Sequence, residues 1–258
     1  MRVLTVLLLA AATAQAAVET ESITYREGDT ELTGYLARNT AVKKPAPGIL
    51  IVHDWTGLGE QAKNTARRLA ELGYVAFALD MYGGGKLAKD SNQAAEWSAT
   101  FKNDPALARR RFEAALNVLR AQPGVEPARI AAIGYCFGGT IVLEMARLGV
   151  DVQAVVSFHG GLASKVPEDQ RRPAAAILVC HGADDPHVPQ TEVKAFLDEM
   201  KAANAKFEFV QYQGAVHSFT NPEADSEGAR FEPTAARRSW IAMLNFLELV
   251  FVGTPAYK

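Results

Sequence analysis

Apolar runs of strand length alternate with amphipathic stretches of helix length from about residue 22 to residue 250, and no other feature narrows the fold as far. Residues 47–52 and 74–79 are continuous apolar runs, the composition of strands buried on both faces. Shorter strand-like runs follow at 129–133, 152–158, 174–179 and 207–212. Residues 60–72, 105–120, 138–148, 191–203 and 233–250 repeat small and apolar residues at helical spacing, and the first of these stops at Gly73, which suits the left-handed position after a helix. At the front, 23–26 and 31–37 alternate with period two around Glu27-Gly28-Asp29, the pattern of an antiparallel hairpin at a sheet edge. Strands alternating with helices imply an α/β chain whose mostly parallel sheet carries helices on both faces. No internal repeat, linker rich in Pro, Gly or Ser, or shift in composition divides it, so residues 17–258 are expected to form one domain.

The first sixteen residues stand outside that pattern. Met1-Arg2 carries one positive charge, residues 3–12 are almost wholly apolar, and Ala14-Gln15-Ala16 is a small-x-small sequence. This is the three-part layout of a secretory signal peptide, residues 1–16, cleaved after Ala16. The apolar run is short of the roughly 20 residues a spanning helix needs, so no membrane attachment is expected after cleavage, and a periplasmic or secreted location follows. Lys plus Arg number 27 against 29 Asp plus Glu, with no basic block, which argues against nucleic-acid binding driven by phosphate neutralisation. Two cysteines, Cys136 and Cys180, are too few for a disulfide scaffold, and neither they nor the five scattered histidines have metal-ligand spacing. Neither a metal nor a cofactor is expected. In an oxidising compartment the two thiols could pair, but a bridge between two strand ends is geometrically demanding and would consume Cys136.

The chemistry is concentrated between a strand and a helix, at Gly134-Tyr135-Cys136-Phe137-Gly138-Gly139. Gly-x-nucleophile-x-Gly at such a junction is a nucleophile elbow, here with cysteine where serine is usual. The turn is strained, so Gly134 and Gly138 must lack side chains. The helix behind it points its positive end at the sulfur, favouring thiolate, and the Phe137 N–H is placed to donate to an oxyanion. An inert cysteine in a tight turn is the plain alternative, and two later segments weigh against it. Residues 180–189 put Asp184 and Asp185 in a turn after one strand, and residues 211–219 put His217 in the loop after the last. Nucleophile, acid and base thus occur in the chain order of an α/β hydrolase. His217 fits the base, and Asp184 or Asp185 the acid that fixes its tautomer. His159, His181 and His187 read as structural, and Cys180 as a small buried apolar residue.

Gly-Tyr-Cys-Phe-Gly-Gly, Gly-x-x-Asp-x-x-Val-Pro and Gly-x-x-His-Ser-Phe together resemble the dienelactone hydrolase family, in the right order and over roughly residues 48–250. The resemblance implies an α/β-hydrolase fold and a monomeric or weakly associating enzyme without a cofactor. It also implies that small-molecule esters or lactones are cleaved through a covalent acyl-enzyme. It selects Asp185 as the acid. In His53-Asp54-Trp55-Thr56-Gly57 it gives Asp54 the place of a glutamate that contacts the thiol, and Trp55 the second oxyanion N–H; His53 reads as pocket wall or support. The family's enzyme grips a substrate carboxylate with two arginines, where this chain has Gly84, with Lys86 nearby, and Asn221. Without that bidentate fork, a neutral ester or lactone is expected over an anionic one. Tyr82, Trp55, Phe137 and Phe219 are candidates to line the pocket, with ordinary core packing the equal alternative for each, and Lys86, if folded inward, would add a charge. The same parts would serve a thioesterase or acyltransferase. A non-catalytic binding protein on this fold would be expected to have lost a member of Cys136, His217 and Asp185.

Overall fold

Each apolar run becomes a strand of one sheet. The computed structural model describes residues 18–253; the expected leader, residues 1–16, lies outside them. In chain order the elements are β1 (Val18–Glu27), β2 (Thr30–Asn39), β3 (Ala46–Val52), α1 (Glu60–Glu71), β4 (Val75–Leu79), α2 (Ser91–Asn103), α3 (Pro105–Arg120), β5 (Val125–Tyr135), α4 (Phe137–Arg147), β6 (Ala154–Phe158), β7 (Ala176–Gly182), α5 (Gln190–Ala202), β8 (Phe207–Tyr212) and α6 (Pro233–Val252). The strands lie in the order β1-β2-β4-β3-β5-β6-β7-β8. β1 pairs antiparallel with β2, and β2 with β4; every other neighbouring pair is parallel.

Period-two alternation distributes the central strands between two cores. In β3, Leu50 and Val52 face one core and Ile49 and Ile51 the other; in β4, Phe77 and Leu79 oppose Ala76 and Ala78. The first core is closed by Phe101 of α2, Phe112 and Leu116 of α3, Ile141 of α4 and Phe196 of α5. The second is closed by Leu69 of α1 and Met243 and Leu247 of α6. The mostly parallel sheet with helices on both faces is therefore observed, and this is the α/β-hydrolase architecture. Its consequence is that the loops after β3, β5, β6, β7 and β8 all emerge along one edge of the sheet, where ligands of open α/β sheets bind.

One helix is absent from the sequence reading. α2 is capped by Asp90, whose side chain accepts the Gln93 N–H at 2.9 Å, and it buries only Ala94, Ser98 and Phe101. Two small residues and one aromatic make a weak stripe, so periodicity alone does not reveal it. The 159–175 connection is likewise held by groups far away in sequence. Arg147, 1% exposed, donates to Glu144 Oε1 at 2.7 Å, to both Glu199 oxygens at 2.9 Å and to the Leu162 carbonyl at 2.7 Å. The other Glu144 oxygen accepts the Ser164 hydroxyl and the Lys165 and Val166 N–H groups.

Candidate active site

The elbow is as tight as its glycines require. A β-carbon on Gly134 would stand 2.1 Å from the Gly138 carbonyl oxygen, and one on Gly138 would stand 2.3 Å from that of Val52. Cys136 itself has φ +54 and ψ −114, a backbone that costs a residue with a β-carbon about 1–3 kcal/mol. Its N–H is held by the Phe158 carbonyl at 3.0 Å, and its carbonyl accepts the Thr140 N–H in the first turn of α4. The side chain is partly exposed. Phe137 is the first residue of α4, so its N–H has no carbonyl partner within the helix.

The three loops converge on the sulfur. His217 Nε2 lies 3.1 Å from Cys136 Sγ, and His217 Nδ1 lies 2.8 Å from Asp185 Oδ2. The second carboxylate oxygen of Asp185 accepts the His187 N–H at 2.9 Å. Burial alone would push His217 down, but hydrogen bonds and charge from Asp185 and Cys136 raise it from 6.5 to about 10. Its imidazolium therefore persists at neutral pH, with one N–H aimed at the carboxylate and one at the sulfur. Burial likewise pushes the Asp185 carboxyl up, yet His217 and the His187 N–H hold it below the ordinary carboxylate range. Asp184 has a different partner. Its exposed carboxylate accepts the Gly214 N–H at 3.1 Å and braces the turn against the histidine loop. Of the two aspartates, only Asp185 meets His217.

Other expected contacts are made differently. Asp54 does not meet the thiol: its Oδ1 accepts the Thr56 N–H at 2.7 Å and the Thr56 hydroxyl at 2.5 Å, so the shorter carboxylate closes its own turn. His53 is buried beneath that turn, its Nδ1–H donating to the Asp54 carbonyl and its Nε2 accepting the Met81 N–H at 3.2 Å; burial pushes its pKa down and keeps it neutral. The Trp55 carbonyl accepts the Tyr82 hydroxyl at 2.9 Å. Tyr82 is thus a brace under the loop, its ring packed 4.8 Å from His53 and 5.7 Å from Phe137, rather than pocket wall. Phe219 is fully buried against His159 and Tyr212 in the core and lines no part of the site.

Lys86 also points elsewhere. The Asp80 carboxylate, fully buried, accepts four backbone N–H groups, from Thr33, Tyr82, Gly83 and Gly85, at 2.7–3.1 Å. Gly83, Gly84 and Gly85 all take positive φ to wrap around it, and this leaves Lys86 exposed beside Gly84. The cations at the site are different ones. A cavity of about 490 Å³ over Cys136 and His217 is walled by Trp55, Phe137, His187 and Val188, with Ser98 and Lys102 of α2 on one side and Lys165 on another. Both lysines are exposed, and neither ammonium has a carboxylate partner among the described residues. A second cavity of equal volume lies between α1 and α6; Asn221 lines that one, and none of the three converging groups does. Cys180 is a free, buried thiol pushed up to about 12 by burial, its Sγ accepting the Tyr212 hydroxyl, so Cys136 is unbridged.

A model of the dienelactone hydrolase family matches residues 32–251. The solved structure of m3DLH is 40% identical, covers 91% of this chain and 99% of its own, and superposes with a TM-score of 0.87. A dienelactone hydrolase-like promiscuous phosphotriesterase from metagenomic libraries is 39% identical over the same shares, also with a TM-score of 0.87. Among curated proteins, a probable 2-oxo-3-(5-oxofuran-2-ylidene)propanoate lactonase of Bradyrhizobium is 26% identical over 228 residues, 85% of this chain and 90% of that protein.

Proposed function

From the premise that this chain belongs to the dienelactone hydrolase family, and is therefore a hydrolase of esters or lactones, we propose that it works by covalent catalysis with Cys136 as nucleophile, His217 as acid and base, and Asp185 as the group that orients His217. The observation that carries the reading is the unbroken chain Sγ–Nε2 at 3.1 Å and Nδ1–Oδ2 at 2.8 Å, anchored on a strained cysteine at a helix N-terminus. The sulfur attacks the carbonyl carbon, and the developing oxyanion is received by the Phe137 and Trp55 N–H groups. His217 gives its proton to the departing alkoxide, leaving an S-acyl enzyme. A water then attacks that thioester as His217 takes its proton, releasing the acid and restoring the sulfur to its place beside the imidazolium.

The substrate we propose is a small neutral ester or lactone. Gly84 and Asn221 supply no cation, and Trp55, Phe137 and Val188 give the cavity an apolar wall. Two exposed ammoniums, at Lys102 and Lys165, are worth at most about 1 kcal/mol each to an anion, less than a bidentate arginine clamp. The composition of residues 1–16 supports action outside the cytoplasm and free of the membrane, and the family resemblance supports a monomer. Replacing Cys136 by Ala tests the mechanism: turnover of an aryl ester should vanish while the thermal melt is kept. Retention of more than a tenth of the wild-type rate would place the nucleophile elsewhere.

A further inference from the structure

We propose that His159 is a positioning residue, a neutral imidazole that ties the backbone of the nucleophile to the loop carrying the base. The proposal rests on the reading of Cys136 and His217 given above. His159 directly follows β6, and its φ of +42 lies in the left-handed region that a β-carbon disfavours. A residue other than glycine stays there only when its surroundings over-determine it. Here its N–H donates to the Cys180 carbonyl at 2.9 Å, and the residue is 1% exposed.

The ring nitrogens face two partners in different parts of the site. Nδ1 lies 3.2 Å from the Cys136 backbone nitrogen, which can only donate, so Nδ1 accepts. The ring proton therefore sits on Nε2, which lies 2.8 Å from Thr220 Oγ1 and donates to it. Burial, reinforced by the charge on His217, holds this imidazole well below the ordinary histidine range and so keeps that tautomer. Thr220 is three residues beyond His217 on the same loop. The His159 ring also stands edge-on to His217, with centroids 5.3 Å apart, and to Phe219 at 5.1 Å. One side chain thus touches the elbow amide, the ring of the base and the loop that holds the base. Among the described residues, no other side chain contacts all three.

The Cys136 amide is shared, because the Phe158 carbonyl also accepts it at 3.0 Å. Removing the imidazole therefore leaves the elbow bonded to β6 and releases only the tether to the histidine loop. The expected loss lies in the alignment of Sγ with His217 Nε2, and so in kcat rather than KM.

Three variants test this: His159→Phe keeps the ring volume without either bond; His159→Asn keeps an acceptor near Nδ1 and tolerates positive φ, but does not reach Thr220; Thr220→Val removes the other end. With an aryl ester, His159→Phe should lower kcat at least tenfold and change KM less than threefold. His159→Asn should recover part of that loss, and Thr220→Val should cost several-fold. The double variant His159→Phe/Thr220→Val should be no worse than His159→Phe alone, since both remove one link. Alkylation of Cys136 by iodoacetamide at neutral pH should slow in the same order, which a purely structural role would not produce in variants with wild-type melts. A folded His159→Phe within twofold of the wild-type kcat, or full additivity in the double variant, would overturn the proposal. If His159→Phe does not fold, an unchanged kcat and alkylation rate in Thr220→Val overturns it instead. Failure of the nucleophile reading is seen separately, as activity surviving in Cys136→Ala.

Discussion

Asparagine at position 185 keeps the shape of the carboxylate and removes its charge, so Asp185→Asn isolates what the acid does for His217. The rise of His217 from 6.5 to about 10 corresponds to about 5 kcal/mol in favour of the imidazolium. Burial opposes that rise, so Asp185 and Cys136 together supply at least this much. Asp185 is one of the two groups that supply it, so removing its charge withdraws support from every step that passes through the imidazolium. The amide adds a second fault: its N–H donates to Nδ1, the neutral ring then carries its proton on Nε2, and that nitrogen can no longer accept from the thiol. A loss in kcat of about 10²- to 10⁴-fold follows, as for a triad acid. Asp184→Asn is the control, because its carboxylate holds one exposed backbone N–H at 3.1 Å; its cost should stay within about fivefold. Steady-state hydrolysis of an aryl ester, with melts to confirm folding, decides between them. The reasoning fails if Asp184→Asn is the more damaging change, or if Asp185→Asn stays within tenfold of wild type.

Three further outcomes are expected. The alkaline limb of kcat/KM, which reports the free enzyme, should fall near pH 10, where His217 loses its proton, and move toward neutrality in Asp185→Asn; a wild-type limb near 6.5 would contradict this. Because the folded pKa of His217 is the raised one, its contribution to stability is full below pH 6.5 and lost as pH rises through about 10, so urea melts should weaken more steeply from pH 7 to 10 in wild type than in His217→Gln. Arg147→Met leaves the Glu144 carboxylate buried without its cation and should cost about 3–5 kcal/mol in urea unfolding; a loss under about 1 kcal/mol would show that the network is dispensable.

What could be read from the sequence follows how local the physics is. Gly134 and Gly138 announce the elbow because backbone atoms within a few ångströms forbid any β-carbon, whatever the rest of the chain does. Cys136, His217 and the turn holding Asp184 and Asp185 were identifiable because a parallel sheet brings successive strand ends to one edge, so chain order predicts their meeting; it took the family resemblance to separate Asp185 from Asp184. Asp54 shows where that logic stops. Its position in the loop could be matched, but one methylene fewer than glutamate lets its carboxylate close on Thr56 instead of reaching the sulfur. Lys86 fails for a different reason: the direction of the glycine loop is decided by the buried Asp80 carboxylate, which also recruits Thr33 from another strand. The charges at the cavity are the least local feature of all. Lys102 arrives on α2, whose burial of Ala94, Ser98 and Phe101 is too sparse to show as a period. Lys165 is carried by a segment pinned through Glu144 and Arg147 to Glu199. The reacting groups are thus set by chain order and short-range sterics, whereas the walls that choose among esters are set by ion pairs and caps between distant segments. Relatives that share the elbow can therefore differ in substrate charge through substitutions on α2 and the 159–175 connection, without touching Cys136, His217 or Asp185.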